Sequence, residues 1–139
     1  MGLVYADITL VNDRDLGRFE DGLILENQVR KIEVNALVDS GALMLVINEN
    51  IKAQLGLKKK RTQTAELADG SIITLEVVGS VEVRFGNRST VCNAMVISGD
   101  NEVLLGAIPM EEMDVLIHPK TNKLIINPEH PTMAQTKLK

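Results

Sequence analysis

The chain has no tryptophan, and only one tyrosine and two phenylalanines among 139 residues. Its core must therefore be built from Val, Ile, Leu, Met and Ala, which make up most of the 45 % apolar fraction. Such a β-branched-rich set packs well on pleated surfaces and favours strands over helices. Cys92 is the single cysteine, so no internal disulfide can form and a disulfide-stapled secreted scaffold is excluded. No apolar run approaches the ~18 residues that a membrane span needs. The start, Met1 to Asp7, lacks the basic-then-apolar layout of a signal peptide. A formal charge of −4 gives no general attraction to nucleic acid or to an anionic membrane. The expectation is one soluble, cytoplasmic domain with no nucleic-acid or membrane partner. Cys92, His118 and His130 are widely scattered, without metal-ligand spacing, and there is no glycine-rich phosphate loop. Neither a metal nor a cofactor is expected.

What is present is a series of short apolar runs. Leu3 to Val11 alternates and ends at Asn12-Asp13, a strand and a turn. Arg14 to Gly22 is polar with two glycines and reads as a surface loop. Val29 to Val38 reads as a strand running inward, and Leu43 to Ile47 resumes the apolar run after a break at 39–42. Asn48 can cap a short helix over Glu49 to Leu55, with Gly56 as its stop. Lys58 to Arg61 is a basic run, read as a solvated strand start or loop.

Thr62 to Leu67 and Ile72 to Val78 flank Ala68-Asp69-Gly70-Ser71, a hairpin signal in which both central residues could take positive φ. Val81 to Phe85 and Ser89 to Ile97 form a second pair. The sequon-like Asn87-Arg88-Ser89 between them reads as a plain surface turn. Glu102 to Leu105 is a short strand, and Pro109 suits the first position of a helix over Met110 to Met113. Val115 to His118 and Leu124 to Asn127 are strand-like. Residues 128–139 read as a frayed polar tail behind a domain spanning 1–127. Many short strands at 8–12-residue spacing imply an all-β barrel or sandwich with one or two short helices.

The chemistry gathers at Asp39-Ser40-Gly41-Ala42. Composition alone produces an Asp-Ser-Gly tripeptide in roughly 4 % of chains this long, and most such copies are polar turns. This one lies inside Ala-Leu-Val-Asp-Ser-Gly-Ala-Leu-Met-Leu-Val-Ile. A carboxylate buried among Leu37, Val38 and Ala42 would be desolvated, which raises a carboxylate's pKa. Gly41 removes a side chain that would block water or substrate from it. Ser40 can hydrogen-bond within the turn or across an interface. A hairpin with a glycine tip, such as that at Gly70, suits a lid. Cys92 lies in an apolar strand and reads as a small core residue; His118 precedes a turn and reads as partly exposed.

Val38-Asp39-Ser40-Gly41-Ala42 resembles the active-site motif of aspartic proteases, hydrophobic-Asp-Thr/Ser-Gly-Ala/Ser. The order that follows, a hairpin, then Leu104-Leu105-Gly106 and a short helix, resembles the retroviral-type, single-domain branch. The segment Val103 to Asp114, followed by Asn127-Pro128-Glu129-His130-Pro131, is similar to small bacterial proteins of that clan. The resemblance runs from about Ile32 to Pro131. It implies a closed or partly open acid-protease barrel that supplies half an active site. By carry-over, Asp39 is catalytic, Ser40 hydrogen-bonds across the dimer, and Gly41 gives a backbone contact to substrate beside Ala42. Ala68, Asp69, Gly70 and Ser71 form the flap, and Leu105 and Gly106 support the substrate cleft. Two departures stand out. Gly106-Ala107-Ile108 replaces a frequent Gly-Arg-Asn/Asp, and the flap tip is Asp69-Gly70-Ser71 rather than glycine-rich.

The implied chemistry needs two carboxylates on one water, sharing a proton. A chain with one Asp-Ser-Gly, too short for two lobes, meets that need as a two-fold homodimer. The terminal strands, Leu3 to Val11 or Leu124 to Asn127, would join the interface. The expected activity is hydrolysis of a peptide or protein substrate. The alternative is a non-catalytic dimeric barrel for peptide binding or assembly, since one fold hosts several functions.

Overall fold

The computed structural model describes residues 2–99 and 101–138. It contains nine strands and three short helices. The strands are β1 (Tyr5–Asn12), β2 (Lys31–Val38), β3 (Leu45–Asn48), β4 (Lys58–Glu66), β5 (Ile72–Phe85), β6 (Arg88–Ile97), β7 (Leu104–Leu105), β8 (Val115–His118) and β9 (Lys123–Ile126). The helices are α1 (Asp13–Glu20), α2 (Glu49–Leu55) and α3 (Ala107–Met113).

Seven strands form one sheet in the order β1-β2-β7-β3-β6-β5-β4. β1 also pairs with β5, from Thr9↔Arg84 to Asn12↔Val81, so the sheet bends into a ring with β4 left as an outer arm. β8 and β9 pair separately. Alternate residues of the ring point inward: Ile8 and Leu10 from β1, Ala36 and Val38 from β2, Leu45 and Ile47 from β3, Val81 and Val83 from β5. All are fully or almost fully buried. Each such valine, leucine or isoleucine side chain contributes about 1.5–3 kcal/mol. This is the all-β ring expected, closed by aliphatic packing. Cys92 packs partly buried against the core, and burial pushes its thiol up to about 12.

Five local readings differ from what the structure shows. Residues 13–20 form α1, not a loop. The Asn12 side-chain oxygen accepts from Asp15 N at 3.0 Å while its amide donates to the Leu55 carbonyl at 2.7 Å. Asp15 then holds Arg30 through Nε and Nη2 at 2.8 and 3.0 Å. These long-range partners outweigh a helix interior that contains Gly17.

β5 runs unbroken through Gly79-Ser80, absorbing them in a register shift between Val78 and Val81. A Cβ on Gly79 would clash with the Asn93 side chain, so glycine lets the strand pass. α3 begins at Ala107, so Pro109 is its third residue rather than its first, with no acid in the first turn. Proline is tolerated there because early helical N–H groups have no intrahelical partner.

The tail is docked, not frayed, as far as Gln135. Asp114, at φ 56, accepts from Asn127 Nδ2 and Gln135 N, each at 3.0 Å, and pairs with His130 Nδ1 at 2.6 Å. Arg88 is buried, not part of a surface turn, and donates to the His130 carbonyl. Asn87 Nδ2 reaches the Pro131 carbonyl at 3.0 Å.

These bonds, led by that from Asn127, hold the Asp114 carboxyl down at about 2, below its ordinary 3.8. A depressed carboxylate stabilises the fold above its unfolded value and loses that contribution as pH falls. The urea midpoint is therefore expected to drop between about pH 4 and pH 2, and Asp114→Asn is expected to flatten the drop across that window.

Candidate active site

β2 delivers Asp39 at its end. The Asp39 N–H donates to the Leu105 carbonyl at 3.0 Å, so the β2–β7 ladder continues into the turn. The turn then closes on itself: Gly41 N donates to Asp39 Oδ1 at 2.9 Å, and Ala42 N to the Asp39 carbonyl at 3.1 Å. A Cβ on Gly41 would lie 3.1 Å from Asp39 Oδ1, so glycine keeps space open at the carboxylate, as the sequence suggested. Asp39 is half-buried rather than fully desolvated, and Ser40 is exposed.

Behind the turn stands the N-terminus of α3. Ala107 N donates to the Ala42 carbonyl at 2.8 Å and Ile108 N to the Leu43 carbonyl at 2.9 Å. Two orphan helix donors are thus satisfied by the turn, and the turn is pinned from behind. Gly106-Ala107-Ile108, which replaces the frequent Gly-Arg-Asn/Asp, thus supports the turn through its backbone. It requires Gly106, because a Cβ there would clash with the Met44 carbonyl oxygen and lie 2.8 Å from that of Ala42. Leu105 is fully buried in the core and reaches the turn through its carbonyl.

Ala68, Asp69, Gly70 and Ser71 lie at the tip of the β4–β5 hairpin, all exposed. Their bonds are their own: Gly70 N donates to the Leu67 carbonyl at 2.9 Å and Leu67 N to that of Ser71 at 2.8 Å. Only Gly70 has positive φ, at 86°. The tip is a turn followed by one left-handed residue, not the two-residue turn with two positive φ values that the dipeptide suggested. Asp69 Oδ1 accepts from Ser71 Oγ at 2.6 Å and Ser71 N at 2.9 Å, which lowers the Asp69 carboxyl below its usual range. The structure therefore joins Asp39–Ala42 with Leu105–Gly106 and sets 68–71 apart on an arm.

The sequence reading missed a row of apolar residues. Leu37↔Leu104, Leu104↔Val46, Val46↔Met95 and Met95↔Val77 are successive register partners across β2, β7, β3, β6 and β5. Their sequence neighbours Val38, Leu105, Ile47, Ala94 and Val78 belong to the core, so this row lies on the opposite face. By the same alternation Asp39 projects on the side of Leu37. The row joins five separate strands, so only the register reveals it. Two concavities of about 420 and 400 Å³ lie elsewhere, one at α1, α2 and β4 and one on β1–β2; neither includes Asp39.

Among the described residues no group of His, Cys, Asp and Glu could hold a metal ion, and no helix is long and apolar enough to cross a membrane. His118 is half-buried, its Nδ1 accepting from Lys120 N at 3.2 Å.

The crystal structure of the retroviral protease-like domain of Ddi1 from Leishmania major shares this fold, with a TM-score of 0.56 and 18 % identity over 92 % of this chain and 90 % of that one. At that identity the likeness concerns the fold alone. No curated protein matches the chain. The family described as aspartyl protease matches residues 25–108, which is more than half of the sequence and includes the Asp39 turn. The chain belongs to the aspartyl protease family, with the retropepsin-like fold.

Proposed function

We propose that two copies of this chain associate about a two-fold axis at the Asp39 turn and hydrolyse peptide bonds in extended segments. The observation that carries this reading is the turn itself: one half-buried Asp39 per lobe, pinned by α3 and open on its outer side. Beside it, Leu43 is 67 % exposed and Ile108 44 % exposed. Two large apolar side chains at a polar turn gain most by burial against a second copy.

In the dimer the two Asp39 carboxylates share a proton, because like charges about 3 Å apart cannot both ionise. The ionised one takes a proton from water, which attacks the scissile carbonyl carbon. The protonated one donates to the carbonyl oxygen. Collapse of the tetrahedral intermediate breaks the C–N bond, and a proton passes to the leaving amine. Ser40 hydrogen-bonds across the axis and Gly41 presents its backbone to the substrate. The 68–71 tip closes over the substrate, and the partly exposed Leu37 and Leu104, backed by the buried Val46 and Met95, favour apolar substrate side chains.

A peptide-library digestion at acid and neutral pH, repeated over serial dilution of the protein, tests this. Cleavage with activity per chain that falls on dilution is expected. Peptide binding without cleavage at any concentration would favour the non-catalytic module instead.

A further inference from the structure

The larger concavity, of about 420 Å³, lies away from the Asp39 turn. It is lined by Arg18 from α1, Arg30 just before β2, Lys52 from α2 and Lys58 at the start of β4, with Glu49 as the acid on its wall. Four of the chain's fifteen cations line this hollow, on a protein of net charge −4, and Lys59, Lys60 and Arg61 follow along β4 outside it.

Three of these cations are paired, Arg18 and Arg30 with Asp15 and Lys52 with Glu76, and two of them are held in place by hydrogen bonds. Arg30 is fixed by Asp15 through Nε and Nη2. A Cβ on Gly56 would clash with Arg30 Nη1, so the guanidinium lies against bare backbone. Half of the Arg30 side chain remains exposed. Lys52 is held by Glu76. The buried Asp15 thus orients a guanidinium instead of leaving it mobile, and holding donors in place lowers the entropy cost of gripping a ligand. Arg18 and Lys58 complete the wall.

We propose that this concavity binds a compact phosphate-bearing anion. Arginine's fork and lysine's point charge together suit phosphate oxygens, and the volume exceeds that of a single ion. Lysine on an exposed edge strand also guards against edge-to-edge pairing, which accounts for Lys59 and Lys60. It does not account for cations converging from four separate segments on one hollow.

The test is titration of the full chain with pyrophosphate at low ionic strength, followed by amide NMR. Saturable binding is expected with Kd below about 1 mM, with the largest shifts at Gly56, Leu57 and Lys58 and weakening as salt is added. Lys58→Gln and, separately, Arg18→Gln are expected to weaken it about tenfold each, the loss of one charge-assisted contact. Both side chains are surface groups, and the same spectra report whether the fold is kept. Parallel titrations with ADP and with a phosphoserine peptide identify the source by whichever binds more tightly. No saturation by about 10 mM pyrophosphate, or an affinity unchanged in both variants, would overturn the proposal.

Discussion

Asp39→Asn is expected to lower peptide hydrolysis by about 10⁴-fold, at the upper end of what general acid–base groups contribute, while leaving the fold unchanged. The substitution keeps an oxygen where Asp39 Oδ1 accepts from Gly41 N at 2.9 Å, so the turn retains its closing bond. It removes the ionisable group from both halves of a symmetric site at once. A neutral amide cannot take a proton from water, and two amides have no acidic proton to give the carbonyl oxygen. Initial rates on one cleaved peptide, with the urea midpoint as a control for folding, check this. Undiminished cleavage by the variant would remove Asp39 from the chemistry.

Gly106→Ala is expected to destabilise the chain by about 3 kcal/mol and to abolish activity in whatever fraction still folds. The backbone at 106 is extended, with φ −87° and ψ −179°, so alanine suffers no conformational penalty. The cost is purely steric. The added Cβ meets the carbonyls of Met44 and Ala42, and the second of these accepts from Ala107 N. Relief requires α3 and the 42–44 backbone to separate, which displaces the Asp39 turn. A displacement of about 1 Å at a catalytic group can cost 10²-fold in rate. Urea unfolding gives the stability change, and the rate per folded chain gives the rest. Gly41→Ala provides a contrast: its Cβ meets Asp39 Oδ1 at 3.1 Å, a side-chain atom that can yield, so its effect on folding is smaller.

The Asp39 turn was legible in the sequence because its signal is local. An aspartate between Leu37-Val38 and Ala42-Leu43 has no ordinary reason to be there. The Asn48 cap and Gly56 stop of α2 are local too. The Asn48 oxygen accepts from Ile51 N at 2.9 Å, and Gly56 takes φ 62°. Four things were not legible, because partners far along the chain decide them. α1 is secured by Asn12 reaching Leu55 and Asp15 reaching Arg30, although Asn12 followed by Asp13 and Asp15 was a readable helix start. The early start of α3 depends on carbonyls more than sixty positions away in the turn. The docked tail depends on Asp114 gathering Asn127, His130 and Gln135 around one carboxylate. The Leu37–Val77 row is invisible for the same reason: each member is an ordinary strand residue until the register aligns them.

The central claim is that each cut is made by two chains together. Mixing wild type with Asp39→Asn at constant total chain, under conditions that allow subunits to exchange, tests it most directly. If both carboxylates are needed, an equal mixture retains about one quarter of the wild-type rate, because only wild-type pairs are competent. A rate of about one half, tracking the wild-type fraction in a straight line, would mean that each chain works alone.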